Sequence, residues 1–444
     1  MSLLIPATAR CALLGAVIMA ISSVQASASL PLQQAIEQAI AQDPLLQKRH
    51  HQQQATYAQG LAAGTLPDPK VSLSMMNLPV DSWQHDREAM TQLKVGVSQQ
   101  FGRGDELALK REQLQIASEE YPLLRADRVA QIRAQVTQLW LDTYLAERTI
   151  ALIEQDKALF EQLVDVSKAS YANVVGRTRQ QDVIRAQLEL VQLDDRLSVE
   201  YQKRESARAQ LLAWLRGAQA HIAWSDINLP ETLPQLKVAV PAIFVQGKPD
   251  AERLLARLTS HPVVLAQDVR IEAAGKGVAI ARQQYKPQWG VNASYGYRSD
   301  MPDGSSRADF FSLGVTLDVP LFTDNRQDQW LNSAQSNREA IKTDKLLLLR
   351  ELSGQVEKEA SQLRRLSERQ TLFREQLLQQ THEQAEAALT AYTNDNGDFA
   401  EVVRARIAEL NARVAAKQID VDALKTVARL NYYLTTYQPG VTDE

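Results

Sequence analysis

Cysteine is almost missing from this chain: the one thiol, Cys11, excludes any disulfide within a copy. Cys11 follows Arg10 and lacks the leucine and small residues that precede a lipidated cysteine, so acylation is not expected. The six histidines are scattered, and the adjacent pair His50 and His51 would project about 100° apart on a helix. Without a His-x-x-x-His pair or a carboxylate partner they form no zinc pattern. No catalytic constellation, cofactor motif or metal set emerges, and an enzyme is not expected. Basic patches interleaved with aromatics are also lacking at a formal net charge of −4, which argues against nucleic acid as a partner. Charged and glutamine residues interrupt every apolar stretch before it reaches the ~18 residues of a membrane helix. If this protein enters a bilayer, it must do so by strands.

At the start, Arg10, an apolar run from Cys11 to Ile21 and then Ala26-Ser27-Ala28 read as a secretory signal peptide over residues 1–28. A membrane anchor would need ~20 apolar residues, about twice the run present. Removing 1–28 takes away one arginine and no acid, leaving a net charge of −5.

Proline and glycine are absent where they matter most. No proline falls between Pro122 and Pro230 or between Pro320 and Pro439, and those spans hold only Gly176, Gly217, Gly354 and Gly397. Helix interiors exclude proline and are weakened by glycine, so both spans are predicted to be helical. Gly176 and Gly397 each precede a capping signal, Thr178-x-x-Gln181 and Asp398-x-x-Glu401. The pattern is a helix, a tight turn and a capped helix, twice. The incoming arms run from about Asp105 to Ser170 and from about Gln327 to Ala391, each on the order of 100 Å at ~1.5 Å per residue. Val129, Ile132, Val136, Leu139 and Thr143 in the first arm, and Val183, Leu190 and Leu197 in the next, make stripes for burial against neighbouring helices. Pro122 predicts a kink or break in the first arm that nothing matches in the second.

What the chain does have is a long internal repeat. Tyr171 in "YANVVG" recurs as Tyr392 in "YTNDNG", 221 positions later. Asp43-Pro44 matches His261-Pro262, Pro69 matches Pro287 and Gly96 matches Gly314, all at an offset of 218. After the turns, "DVIRA" matches "EVVRA" at 219, because the second turn is two residues shorter. The predicted organisation is a first repeat over 29–217 with a strand pair at 70–101 and a hairpin turn near 176. A connecting segment follows over 218–249, packed around the middle of the helical body. The second repeat covers 250–437 with a strand pair at 288–322 and a turn near 397, and a tail closes the chain over 438–444.

Each half carries alternating segments. Phe311, Leu313, Val315, Leu317, Val319 and Leu321 are separated by polar or small residues, and Leu93, Val95, Val97 and Phe101 repeat the pattern. Val71, Leu73 and Met75, and Val291, Ala293, Tyr295 and Tyr297, are the earlier members. Such strands suit a transmembrane β-barrel, with Trp289, Tyr295, Tyr297, Phe310 and Phe322 as interfacial aromatics. A soluble antiparallel sheet on the helices would alternate equally well. Edges favour the membrane reading only if copies pool their strands, since four cannot close and open edges in lipid cost several kcal/mol per unpaired amide. Met75 and Met76, adjacent on a strand, face opposite sides and do not form a metal site.

"TLPDPKVSLSMMNLP" at the first strand, "GVTLDVPLF" at the fourth and the paired Tyr-x-Asn-x-x-Gly turns resemble the TolC family of outer-membrane efflux proteins. That resemblance implies a mainly helical fold with a small β part: duplicated hairpins forming a periplasmic α-barrel, and four strands per chain in a shared twelve-stranded barrel of a homotrimer. It implies outer-membrane lipid around Leu313, Val315, Leu317, Val95 and Val97. It places the hairpin turns at the periplasmic mouth, where Gly176, Thr178, Gly397 and Phe399 would meet a periplasmic adaptor working with an inner-membrane resistance-nodulation-division pump. The first-strand wording is most similar to the heavy-metal branch, whose cargo is copper, silver or divalent cations; a channel for drugs or organic solutes is the alternative. Asp395 and Asp398 would bring six carboxylates to that mouth in a trimer and favour cations, with Arg177 and Arg179 placed to pair with them. Equally, Asp398 caps its helix and Asp395-Asn396-Gly397 makes the turn. A periplasmic adaptor is a further alternative, but it would carry one hairpin between Gly-rich β-domains.

Overall fold

The computed structural model describes residues 29–172, 180–216, 228–238, 251–394 and 398–438. The predicted signal segment, the first turn with Gly176, Arg177, Thr178 and Arg179, and the residues Asp395 and Gly397 of the second turn lie outside them.

Both halves open with a pair of helices joined at a capping residue. α1 (Leu32–Gln42) meets α2 (Pro44–Ala63) at Asp43, whose carboxylate accepts from the amides of Leu45 and Leu46 at 3.0 and 3.1 Å. α6 (Ala251–Leu258) is followed by α7 (Pro262–Gln283), capped by His261, whose Nδ1 accepts from the Val263 amide at 3.3 Å. An accepting Nδ1 puts the ring proton on Nε2, which donates to the Tyr432 carbonyl at 3.1 Å. In both, proline follows at the first helical position, where a missing N–H leaves nothing unpaired. The Asp-Pro and His-Pro match thus does the same capping work twice.

The first hairpin is α3 (Glu106–Ser118), α4 (Glu120–Ala172) and α5 (Gln180–Leu215). The predicted break is present at Glu119 rather than at Pro122 itself. A proline ring clashes with the carbonyl four residues earlier, here that of Ser118, where α3 ends. α4 runs 53 residues without interruption, about 80 Å. The second hairpin is α8 (Gln327–Leu372), a π-helical turn (Phe373–Leu377), α9 (Leu378–Thr393) and α10 (Phe399–Tyr433). The π turn was not anticipated from the sequence.

Side by side, these helices make a wall four wide. Nearest the sheet the order is α2, α3, α7, α8; farther away it is α5, α4, α10 and then α8 with α9. Ile132, Val136, Leu139 and Thr143 are buried as their spacing predicts. Trp140 stacks on Tyr144 at 5.7 Å, donates to the Leu30 carbonyl at 3.0 Å, and sits in a core with Ile36, Leu211 and Leu215. The described part of the connector lies on this core: Leu229 is buried, and Tyr144 donates to the Glu231 carbonyl at 3.0 Å.

Between helix pair and hairpin, each half contributes two strands: β1 (Lys70–Met76), β2 (Gln92–Gln100), β3 (Gln288–Tyr297) and β4 (Phe310–Asp318). They form one antiparallel sheet in the order β1-β2-β3-β4. β4 stops at Asp318 because Pro320 has no amide to donate, so Val319 and Leu321, predicted to continue its alternation, lie beyond it.

Candidate membrane-spanning sheet and hairpin end

The register assigns every strand residue to a face. Leu73 pairs with Val95, Val95 with Tyr295, and Tyr295 with Phe311. One rung along, Val71, Val97, Ala293 and Leu313 align; Met75, Leu93 and Tyr297 make another rung, Gln99, Val291 and Val315 a further one, and Trp289 with Leu317 the last. Val71 is 73% exposed, Leu73 71% and Leu313 69%. The opposite face is polar or small: Ser72, Gly96, Ser294 and Ser312 form one rung, Ser98, Asn292 and Gly314 the next. Leu313, Val315, Leu317, Val95 and Val97 therefore share one exposed apolar surface that no described residue covers. Met75 lies on it and Met76 on the other side, as their adjacency requires.

Phe310 departs from expectation. It pairs with Gly296 on the polar face, where the Arg298 guanidinium lies 4.0 Å from its ring centre; Phe311 holds the apolar position, as its alternation with Leu313 predicts. At that end, Arg298 donates to the Ala89 carbonyl and Arg307 to the Glu88 carbonyl, each at 3.1 Å, so the loop of one strand pair is tied to that of the other.

At the opposite end, Arg103 joins sheet to helices. Its buried guanidinium donates to the Lys286 carbonyl at 2.7 Å and pairs with Asp318, while Lys286 reaches Asp105 at 3.2 Å. Gly104 between them has φ +50°, a conformation that a side chain disfavours.

The outer strands β1 and β4 each have one neighbour. Their free edges would leave amides unpaired in lipid, so the sheet is complete only when edges meet.

Far down the wall, Asp398 caps α10 by accepting from the Ala400 amide at 3.1 Å. Phe399, expected to meet an adaptor, is instead 2% exposed: it packs edge-to-face on Tyr392 at 5.5 Å within a core that includes Phe160, Leu193 and Val403. Its apolar ring gains more by burial than by waiting at a wet turn. Among the described residues no group of His, Cys, Asp or Glu could hold a metal ion, and no helix is long and apolar enough to cross a membrane.

No family model matches the sequence. The outer membrane efflux protein BepC of Brucella suis is 24% identical over 200 residues, covering 43% of this chain and 39% of BepC; the aligned chain thus spans about two fifths of that relative's length. Solved structures are similar over nearly the whole chain. CusC superposes with TM-score 0.71 at 13% identity, covering 91% of this chain and 92% of CusC. A membrane protein from Pseudomonas aeruginosa gives 0.75 at 16%, covering 91% and 93%, and the CmeC outer membrane channel of Campylobacter jejuni gives 0.73 at 12%, covering 91% and 85%. The chain, mainly helical with one four-stranded antiparallel sheet, therefore has the fold of these membrane proteins, the CmeC outer membrane channel among them.

Proposed function

We propose that this protein is the outer-membrane channel of a tripartite efflux system, a passive, non-catalytic conduit built from three copies. The observation that carries the reading is the sheet: one exposed face that is apolar apart from Gln99, one polar face, and two open edges. Two copies would give eight strands, whose interior is filled by side chains. Three give twelve, with the serine, asparagine and glycine face around a lumen, and their helical walls continue it into the periplasm. In this reading an adaptor and an inner-membrane pump meet the hairpin ends. The chain is exported, loses residues 1–28 and resides in the outer membrane without a lipid anchor.

Purified mature protein in nonionic detergent should scatter light as three copies and open discrete conductance steps in planar bilayers. Recovery as a monomer from a detergent-free periplasmic extract would reject the proposal. For cargo, "TLPDPKVSLSMMNLP" supports heavy-metal cations such as copper, silver or divalent metals. A strain lacking the protein should gain copper and silver sensitivity; drug sensitivity alone would move the cargo to organic solutes.

Asp395 and Asp398 are proposed to make the periplasmic mouth cation-selective, with Arg177 and Arg179 as their ionic partners. Asparagine serves as a helix cap about as well as aspartate, so Asp395→Asn with Asp398→Asn removes charge while keeping the turn. Under a salt gradient, reversal potentials should move toward zero. Unchanged potentials would remove these residues from the gate.

A further inference from the structure

The two hairpins carry the same groove with opposite charge. In the first, α4 and α5 enclose about 730 Å³ beside Glu154, Glu161, Asp194 and Glu205; Lys157 is paired to Asp194 at 2.6 Å, and Tyr201 donates to Glu154 at 2.6 Å. At the repeat offset of 219, Arg413 stands where α5 has Asp194, Lys417 where it has Ser198, and Asp420 where it has Tyr201. These three line a cavity of about 360 Å³ on α10, closed by Leu152 of α4 and by the π turn.

The π turn shapes this space. The Leu378 amide donates to the Phe373 carbonyl, five residues back, so the backbone bulges, a distortion that recurs at functional sites. Phe373, Leu378 and Leu152 supply an apolar floor. Above it, Arg374 donates to Asp420 at 3.1 Å and Arg413 to Asp156 at 3.1 Å. Lys417 has no carboxylate within 4.0 Å among the described residues, whereas Arg374 and Arg413 each have one. Three cations thus face two carboxylates, and one positive charge stands unmatched beside apolar surface.

We propose that this cavity binds a small amphipathic organic monoanion, an aromatic carboxylate or sulfonate whose ring covers the floor and whose charge meets Lys417. The volume lies within the range of small-molecule sites. An inorganic anion would leave the floor bare, and a cation would meet like charge. The site is independent of the channel's cargo.

Naphthoate titrated into the purified protein in nonionic detergent, followed by calorimetry, should bind saturably at one site per chain, and the neutral analogue naphthylmethanol about tenfold more weakly. Lys417→Gln should weaken naphthoate about tenfold, and Ala416→Phe, which fills the cavity, should abolish it, both with unchanged thermal midpoints. Ser198→Gln, at the matching position of the acidic groove, should have no effect. Absence of saturable naphthoate binding, equal affinity for the neutral analogue, or indifference to Lys417→Gln would overturn the proposal.

Discussion

Leu313→Arg combined with Val315→Arg is expected to eliminate the membrane-embedded protein, reducing its yield in the detergent-extracted outer-membrane fraction at least about tenfold. Both side chains lie on the apolar face, one two-residue step apart, aligned with Ala293 and Val291. An arginine on the lipid face of a barrel costs about 2–4 kcal/mol near the bilayer centre, and an assembly of three copies would bear each substitution three times. Thr316→Arg is the internal control. Thr316 lies between the two in sequence but faces the other way, opposite Gly290, where a long charged side chain enters the proposed lumen. It should assemble near wild-type yield with altered conductance. If all three arginines reduce assembly alike, the alternation is not lipid against water, and a soluble sheet becomes the better reading.

Much of this architecture is legible in the sequence because the rules behind it are local. Proline cannot enter a helix interior, so two long proline-free spans announce two hairpins. Strand side chains alternate by geometry, so Val95 shares a face with Val97 and Leu313 with Val315 once their segments are strands; the register then puts both pairs on the same side of the sheet. The offset at Asp43-Pro44 and His261-Pro262 even marks residues with the same cap. Failures occur where the outcome depends on partners distant in sequence. Phe310 faces away from Leu313 and Val315 by alternation alone, but that it meets the Arg298 guanidinium depends on its pairing with the preceding strand. Phe399 is buried because Tyr392 and the first hairpin's Phe160 and Leu193 converge around it. The segment Phe373–Leu377 has no proline, no glycine and no other local signal of a π turn; its bulge accompanies Gln370 and Arg374 both donating to Asp420 of α10.

Asp127 is another such residue, and it predicts a pH dependence. It sits on α4, buried against α10, accepting from Gln131 at 2.8 Å and from the Tyr432 hydroxyl at 3.3 Å. Neighbouring Arg128 is committed to Asp43 at 2.7 Å, and His261 of the adjoining cap lies edge-to-face on the Tyr432 ring. Burial outweighs the hydrogen bonds and the arginine, raising the Asp127 pKa from 3.8 to about 6; burial, reinforced by Asp127, likewise pushes Tyr432 up to about 12. A carboxyl that holds its proton more tightly folded than unfolded favours folding at low pH. That contribution declines as pH rises from about 4 to about 6 and is gone above. Two pKa units correspond to about 3 kcal/mol. Asp127→Asn cannot ionise and should escape this penalty. Its thermal midpoint should exceed wild type at pH 7.5 and converge with it near pH 4, because only there is the native side chain neutral as well. Tyr432→Phe removes a donor that favours the carboxylate, and should move the wild-type transition to higher pH. A midpoint difference between Asp127→Asn and wild type that stays constant from pH 4 to 7.5 would show that Asp127 is not the titrating group.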